Sequence, residues 1–199
     1  LEQVKTAEEA AKIAQLAGIP VQNFIVGDRS GNISWTLAGR IPARSGNFDP
    51  QLPADWTSPN TGWNGWLNPE QYPLITNPAS HRLWSANSRT VSGNKLELLG
   101  NGGYDLGARA TQIRNSLFAR EQFTVEDMQA IQLDHRALLL SKWYQLLTTT
   151  LDSADNTLPW VSVMKEALND WDGHASSNSI AYRAVRTYRY EVMKTALNG

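Results

Sequence analysis

Seven of the chain's nine prolines lie between residues 40 and 80: Pro42, Pro50, Pro53, Pro59, Pro69, Pro73 and Pro78. Proline fixes its own φ and has no N–H to donate, so no helix can run through this stretch. Trp56, Trp63 and Trp66 lie in the same stretch, and flexible linkers lack such bulky apolar groups. The expectation is a long ordered loop packed on its own aromatics.

On the N-terminal side of this loop, Ala10, Ile13, Ala14 and Leu16 alternate with Glu8, Glu9 and Lys12 at helical spacing, and Gly18 and Pro20 end the pattern. A short amphipathic helix over residues 6–16 follows. β-formers flank the turn cluster "DRSGN", which predicts a hairpin of Val21–Val26 with Ile33–Leu37. Beyond the loop, "RLWSAN" reads as a strand. A Gly-rich turn then leads into a helix from Tyr104 or Leu106 to Ala119, with Leu106, Ile113 and Leu117 apolar. Thr124 and Asp127 form a capping-box pattern opening a long helix to Leu151, with Met128, Ile131, Leu138, Leu139, Trp143 and Leu146 on its buried side. Two more helices are expected, Pro159–Asp170 and Ser179–Leu197. The fold class is α+β, with the strands early and a mostly helical second half. We treat 1–199 as one partial domain, in which residues 1–100 hold hairpin, loop and strand and 101–199 the helices.

The 199 residues can bury a sizeable core. A net charge of −1 argues against chain-wide attraction to nucleic acid or anionic lipid. No run approaches the roughly 20 apolar residues that span a bilayer, and no signal peptide is visible. A start at Leu1 instead of methionine fits a processed or excised piece. With no cysteine, disulfides, thiolate metal sites and cysteine nucleophiles are excluded.

His81, His135 and His174 lie far apart with no HExxH spacing, so they read as surface or half-buried residues and not as catalysts. There is no GxSxG elbow. "GNGGYDLG" lacks the lysine of a P-loop and reads better as glycines turning into a helix than as a phosphate cradle. Arg183, Arg186 and Arg189 recur at three-residue spacing among Tyr182, Tyr188 and Tyr190. Arginine stems packing at a surface explain this better than a nucleic-acid helix does. An asparagine such as Asn87 can donate its side-chain N–H to a developing oxyanion, and an arginine such as Arg109 can orient it. Taken alone, these residues read better as a turn asparagine and a solvated arginine.

Three motifs change that balance. Residues 22–44, "QNFIVGDRSGNISWTLAGRIPAR", residues 77–89, "NPASHRLWSANSR", and residues 102–113, "GGYDLGARATQI", resemble, in order, motifs of the penicillin acylase (penicillin amidase) family of N-terminal nucleophile hydrolases. "FTVEDMQAIQLD" and "LNDWDG" are similar to the stretches that follow, so the resemblance covers nearly the whole chain. It implies part of a four-layer αββα sandwich from a precursor that cuts itself. The cut exposes a serine, threonine or cysteine whose own α-amine acts as base. An α-amine titrates near ~8, so such a site needs no histidine.

By position, the resemblance implies that Asn87 helps form the oxyanion hole, that Arg109 organises the site, and that Gln22 lines the acyl pocket. Leu1 has no nucleophilic side chain, so this chain is expected to be a middle segment of the large subunit, inactive alone. Its partners would be a small acyl amide, the rest of the large subunit and the small subunit, with no nucleic acid and no membrane. Localisation by resemblance is periplasmic or secreted. No cofactor is expected. Some members of the family hold calcium, and here Pro50 stands at the carbonyl position while Leu98 stands near the expected carboxylate, which counts against the ion. The alternative from another class is a non-catalytic binding module using the tryptophan-rich loop.

Overall fold

The computed structural model describes residues 1–197 except Asn47, Pro50, Gln51, Asn60 and Asn101. The chain forms two compact units, Leu1–Phe118 and Ala119–Gly199.

The first unit begins with α1 (Ala7–Gln15), capped by Thr6, whose hydroxyl accepts from the Glu9 N–H at 3.2 Å. Its buried face is almost all alanine, Ala7, Ala10, Ala11 and Ala14, and so small a face lets the helix lie close to the sheet. β1 (Gln22–Gly27) and β2 (Ile33–Ala38) form the expected antiparallel hairpin, with Gln22 opposite Ala38 and Gly27 opposite Ile33. The Asp28 carboxylate accepts from the Ser30 and Asn32 N–H groups within the turn and from the Ala7 N–H at the start of α1. The Ala7 N–H first, and then the Asn32 amide, hold Asp28 below the usual carboxylate range. At the far end of β2, the Gly39 N–H donates to the Ala14 carbonyl at 2.9 Å. Gly39 has φ +91°, and a Cβ there would lie 2.5 Å from the Ile19 carbonyl oxygen, so only glycine fits.

The described residues of the proline-rich stretch hold strands that its prolines concealed: β3 (Pro42–Ser45), β4 (Gly62–Trp66) and β5 (Leu74–Thr76), with a 3₁₀ turn at Pro69–Gln71. β3 pairs with β4, and β5 pairs with β2 to give the sheet order β1-β2-β5. Phe48, Trp56 and Trp63 meet edge to face, with ring centroids 5.7 and 5.8 Å apart. The Tyr72 hydroxyl accepts from the Ile41 N–H and donates to the Gly39 carbonyl, both at 2.9 Å, at the centre of a cluster with Ile41 and Leu67.

"RLWSA" is not a strand. The free edge of β2 is taken by β5. The chain then bends at Asn77 and His81, which have φ +45° and +52°, and runs irregularly to a single bridge between Ser88 and Asp105. α2 (Gly93–Leu99) and α3 (Ala108–Phe118) complete the unit. α2 stands where a Gly-rich turn was expected, and α3 starts past Leu106, which is exposed.

In the second unit the expected helix from Thr124 to Leu151 is two helices, α4 (Val125–Gln132) and α5 (Leu138–Asp152). The capping box at Thr124 and Asp127 is present. The break has a tertiary cause: residues 135–137 pair with the segment before the last helix. The Ala137 N–H donates to the Gly173 carbonyl at 2.7 Å, and the Ala175 N–H to the His135 carbonyl at 2.8 Å. Asp134 also captures the Arg136 N–H in a local turn. Because the helix restarts at Leu138, its buried face changes. Leu140, Leu147 and Leu151 are buried against Val161 of α6 (Pro159–Ala167) and Ala181 and Val185 of α7 (Ile180–Leu197), with Leu168 completing the core. Met128, Leu138, Leu139 and Leu146 are exposed instead. Asp170 caps α7 by accepting from the Ile180 and Ala181 N–H groups, and these bonds, Ala181 first, lower its pKa.

Leu151→Ala should therefore cost about 2–5 kcal/mol in denaturant unfolding. Leu146→Ala, on the exposed face of the same helix, should stay within ~0.5 kcal/mol.

Candidate active site around Asn87

Asn87 lies in the irregular stretch between β5 and α2 and is held from three directions within the first unit. Its main-chain carbonyl accepts from the Asp105 N–H at 2.8 Å. Its side-chain Oδ1 accepts from Arg109 Nη2 at 2.8 Å. The same Nη2 lies 3.2 Å from Asp105 Oδ2, an i,i+4 pair whose acid precedes α3 and whose base stands in the first turn of that helix. Both partners are more than half exposed, so the ion pair is worth little as a stability term. It does fix where the guanidinium points.

Arg109 can only donate. The Asn87 atom facing it must therefore be the carbonyl oxygen, and the amide NH₂ is turned away from the arginine. That NH₂ has no partner among the described residues.

The third hold acts one residue earlier. Asn23 of β1 donates from Nδ2 to the Ala86 carbonyl at 3.0 Å and accepts at Oδ1 from Trp35 Nε1, also at 3.0 Å. The indole is a pure donor and the carbonyl a pure acceptor, so the Asn23 amide has one satisfactory orientation. Trp35 is buried in β2, and this pair of bonds ties the segment carrying Asn87 to the middle of the sheet. Asn23 was not singled out from the sequence. Its signal lies in the hairpin motif, where it stands next to Gln22, but the bond that matters spans 63 residues.

Gln22, the exposed first residue of β1, and Asn87 line one cavity of about 370 Å³, together with Asn23, Ser88 and Tyr104 and with apolar wall from Leu37 and Leu99. Arg109 does not line it, so it reaches Asn87 from outside the cavity. Arg44 also borders the space, and its Nη1 donates to the Leu99 carbonyl at the end of α2 at 3.1 Å. Of the sequence-derived site residues, Asn87 thus shares a cavity with Gln22 and a hydrogen bond with Arg109. Pro50 lies outside the described residues. Leu98 packs on the Ile41, Leu67 and Tyr72 cluster, and it has no side-chain oxygen to offer a cation. Among the described residues no three His, Asp or Glu side chains are grouped to hold a metal.

Comparison with known proteins gives the family of the chain. Residues 1–198 match the penicillin amidase family. The chain belongs to that family. It is 28% identical over 188 residues to the penicillin acylase 2 proenzyme of a Pseudomonas species, covering 90% of this chain and 23% of that protein. It is 27% identical over 160 residues to the acyl-homoserine lactone acylase QuiP of Pseudomonas aeruginosa, covering 80% of this chain and 18% of that one. These residues therefore span about a quarter or less of the curated relatives they match. A thermostable penicillin G acylase from Alcaligenes faecalis has a similar fold, with a TM-score of 0.54 and 17% identity over 78% of this chain and 28% of that one. The α+β class and the family resemblance of the three motifs both hold.

The Asn23 link can be checked by stability. Asn23→Ala leaves the Trp35 N–H and the Ala86 carbonyl without their partner and should cost about 1–3 kcal/mol in urea unfolding. Gln22→Ala, at the exposed neighbouring position, should stay within ~0.5 kcal/mol.

Proposed function

We propose that the protein containing these residues hydrolyses a linear amide joining a hydrophobic acyl group to an amine, of the kind found in β-lactam side chains and acylated lactones. The nucleophile is the N-terminal serine of the processed large chain, and it is not among these residues. Its α-amine takes the hydroxyl proton as Oγ bonds to the amide carbon. The carbonyl oxygen becomes an oxyanion, and the Asn87 Nδ2 N–H donates to it. Collapse breaks the C–N bond, the α-amine's proton goes to the leaving amine, and water repeats the sequence on the acyl-enzyme.

The observation that carries this reading is the 2.8 Å bond from Arg109 to Asn87 Oδ1. It occupies the amide oxygen, polarises the group and leaves the NH₂ as an oriented donor. Preorganised donors of this kind stabilise charge without reorganising during the reaction. Arg109 is a positioning residue in this scheme. Gln22, in the same cavity, contributes to acyl-group selection. The two curated relatives, a penicillin acylase and an acyl-homoserine lactone acylase, support an acyl amide as substrate and leave the amine half open. Self-cleavage of a precursor and residence in the periplasm or outside the cell belong to the same proposal. So does the expectation that these 199 residues alone, without the small subunit and the rest of the large one, turn nothing over.

In the full-length processed enzyme, Asn87→Ala should lower kcat by about 10²–10³ with little change in folding. Asn87→Asp should be as damaging, because a carboxylate pairs with Arg109 but has no N–H to donate. Unchanged turnover in both variants would remove Asn87 from the mechanism.

A further inference from the structure

His135 and His174, 39 positions apart in sequence, face each other across the pairing that interrupts the helices of the second unit. Arg136 and His174 form an antiparallel bridge, and the two imidazole centroids are 4.9 Å apart with an interplanar angle of 46°. His174 Nδ1 lies 2.9 Å from the Asp172 carbonyl oxygen, and His135 Nδ1 lies 3.3 Å from the Leu133 carbonyl oxygen. A carbonyl oxygen only accepts, so each Nδ1 carries the proton and each Nε2 carries the lone pair. Neither Nε2 has a partner among the described residues.

A backbone carbonyl on the far ring nitrogen is the usual support of a metal-bound histidine, because it fixes the tautomer and raises the basicity of the other nitrogen. Two imidazoles bound to one ion at about 2.0–2.1 Å, with a near-tetrahedral angle between them, have centroids roughly 5 Å apart. The 4.9 Å between this pair is close to that separation. The surrounding charges also suit a cation. Arg136 is paired with Asp134 through two bonds of 2.8 and 2.6 Å, and the Asp172 carboxylate stands 3.8 Å from His174 Nδ1, on the protonated side of that ring. Both rings are reachable from solvent: His135 is exposed and His174 is partly exposed.

We propose that His135 and His174 form a two-histidine site for a borderline divalent transition ion, Zn²⁺, Ni²⁺ or Cu²⁺, with water completing the coordination. The ion would staple the loop between α4 and α5 to the loop between α6 and α7. It would act on the stability of the helical unit and not on the acyl chemistry at Asn87.

The test is titration of tag-free, EDTA-treated full-length protein with ZnCl₂, followed by calorimetry and by the melting temperature. The wild type should bind Zn²⁺ and melt higher in its presence, since a ligand that binds only the folded state stabilises it. His135→Gln and His174→Gln should each weaken that binding at least ~10-fold and abolish the rise in melting temperature. A readout on the unmodified protein guards against a variant that folds poorly. The imidazole NMR signals of His135 and His174 should shift together on adding Zn²⁺ while those of His81 stay fixed. Absence of Zn²⁺ binding, equal binding by the variants, or a shift at one ring alone would overturn the site.

Discussion

The first unit depends on where one amide is held. Asn23 sits in β1 with its side chain between the Trp35 indole and the Ala86 carbonyl, so it couples the best-buried strand of the sheet to a segment with no regular structure of its own. Without that tether, residues 81–90 would be held by the bends at Asn77 and His81, by Arg82 on the Leu117 carbonyl and by the bridge from Ser88 to Asp105. With it, Asn87 leaves a fixed point one residue away. Arg109 and Asp105 then set the direction of its side chain. The site is built as a chain of positioning groups of fixed role, in which each amide can satisfy its neighbours in only one orientation. A functional group carried on a loop needs this kind of support if its N–H is to be aligned before substrate arrives.

Much of this was legible wherever local chemistry decides. The turn cluster at 28–32 sets the hairpin to within a residue or two, because Asp28 and Gly31 satisfy the turn by themselves. Thr6 and the Thr124–Asp127 box mark helix starts for the same reason. What could not be read depends on partners distant in sequence. The break between α4 and α5 follows from pairing with residues 173–175, and no local signal shows that. The strands within the proline-rich stretch are short: β3 and β4 find each other across the loop, and β5 pairs back to β2 of the hairpin. Asn87 and Arg109 were recognisable only by resemblance to the family's motifs, since an asparagine and an arginine 22 residues apart carry no mark of touching.

The second unit closes its own core around Val161, Val185 and Leu151 and carries none of the residues assigned to the amide chemistry. Its loops are nonetheless tightly specified. Asp170 caps α7, Tyr144 stacks on Trp171 at 5.0 Å, and the pairing at 135–137 brings His135 against His174. The "LNDWDG" stretch lies where these contacts converge, which gives a physical reason for a family-like motif in this unit. The three histidines looked unrelated in sequence because the contact between two of them is made by backbone pairing and not by spacing along a helix.

The central claim proposed for this member of the penicillin amidase family is that the Asn87 NH₂ is an oxyanion donor set in place by Arg109. The most direct measurement is a crystal structure of the processed full-length enzyme carrying a boronate or phosphonate acyl analogue on its nucleophile. The claim requires an analogue oxygen about 2.7–3.1 Å from Asn87 Nδ2 with the Arg109 bond to Oδ1 retained. An analogue whose oxygens are all bound by other donors, with Asn87 turned away from them, would contradict it.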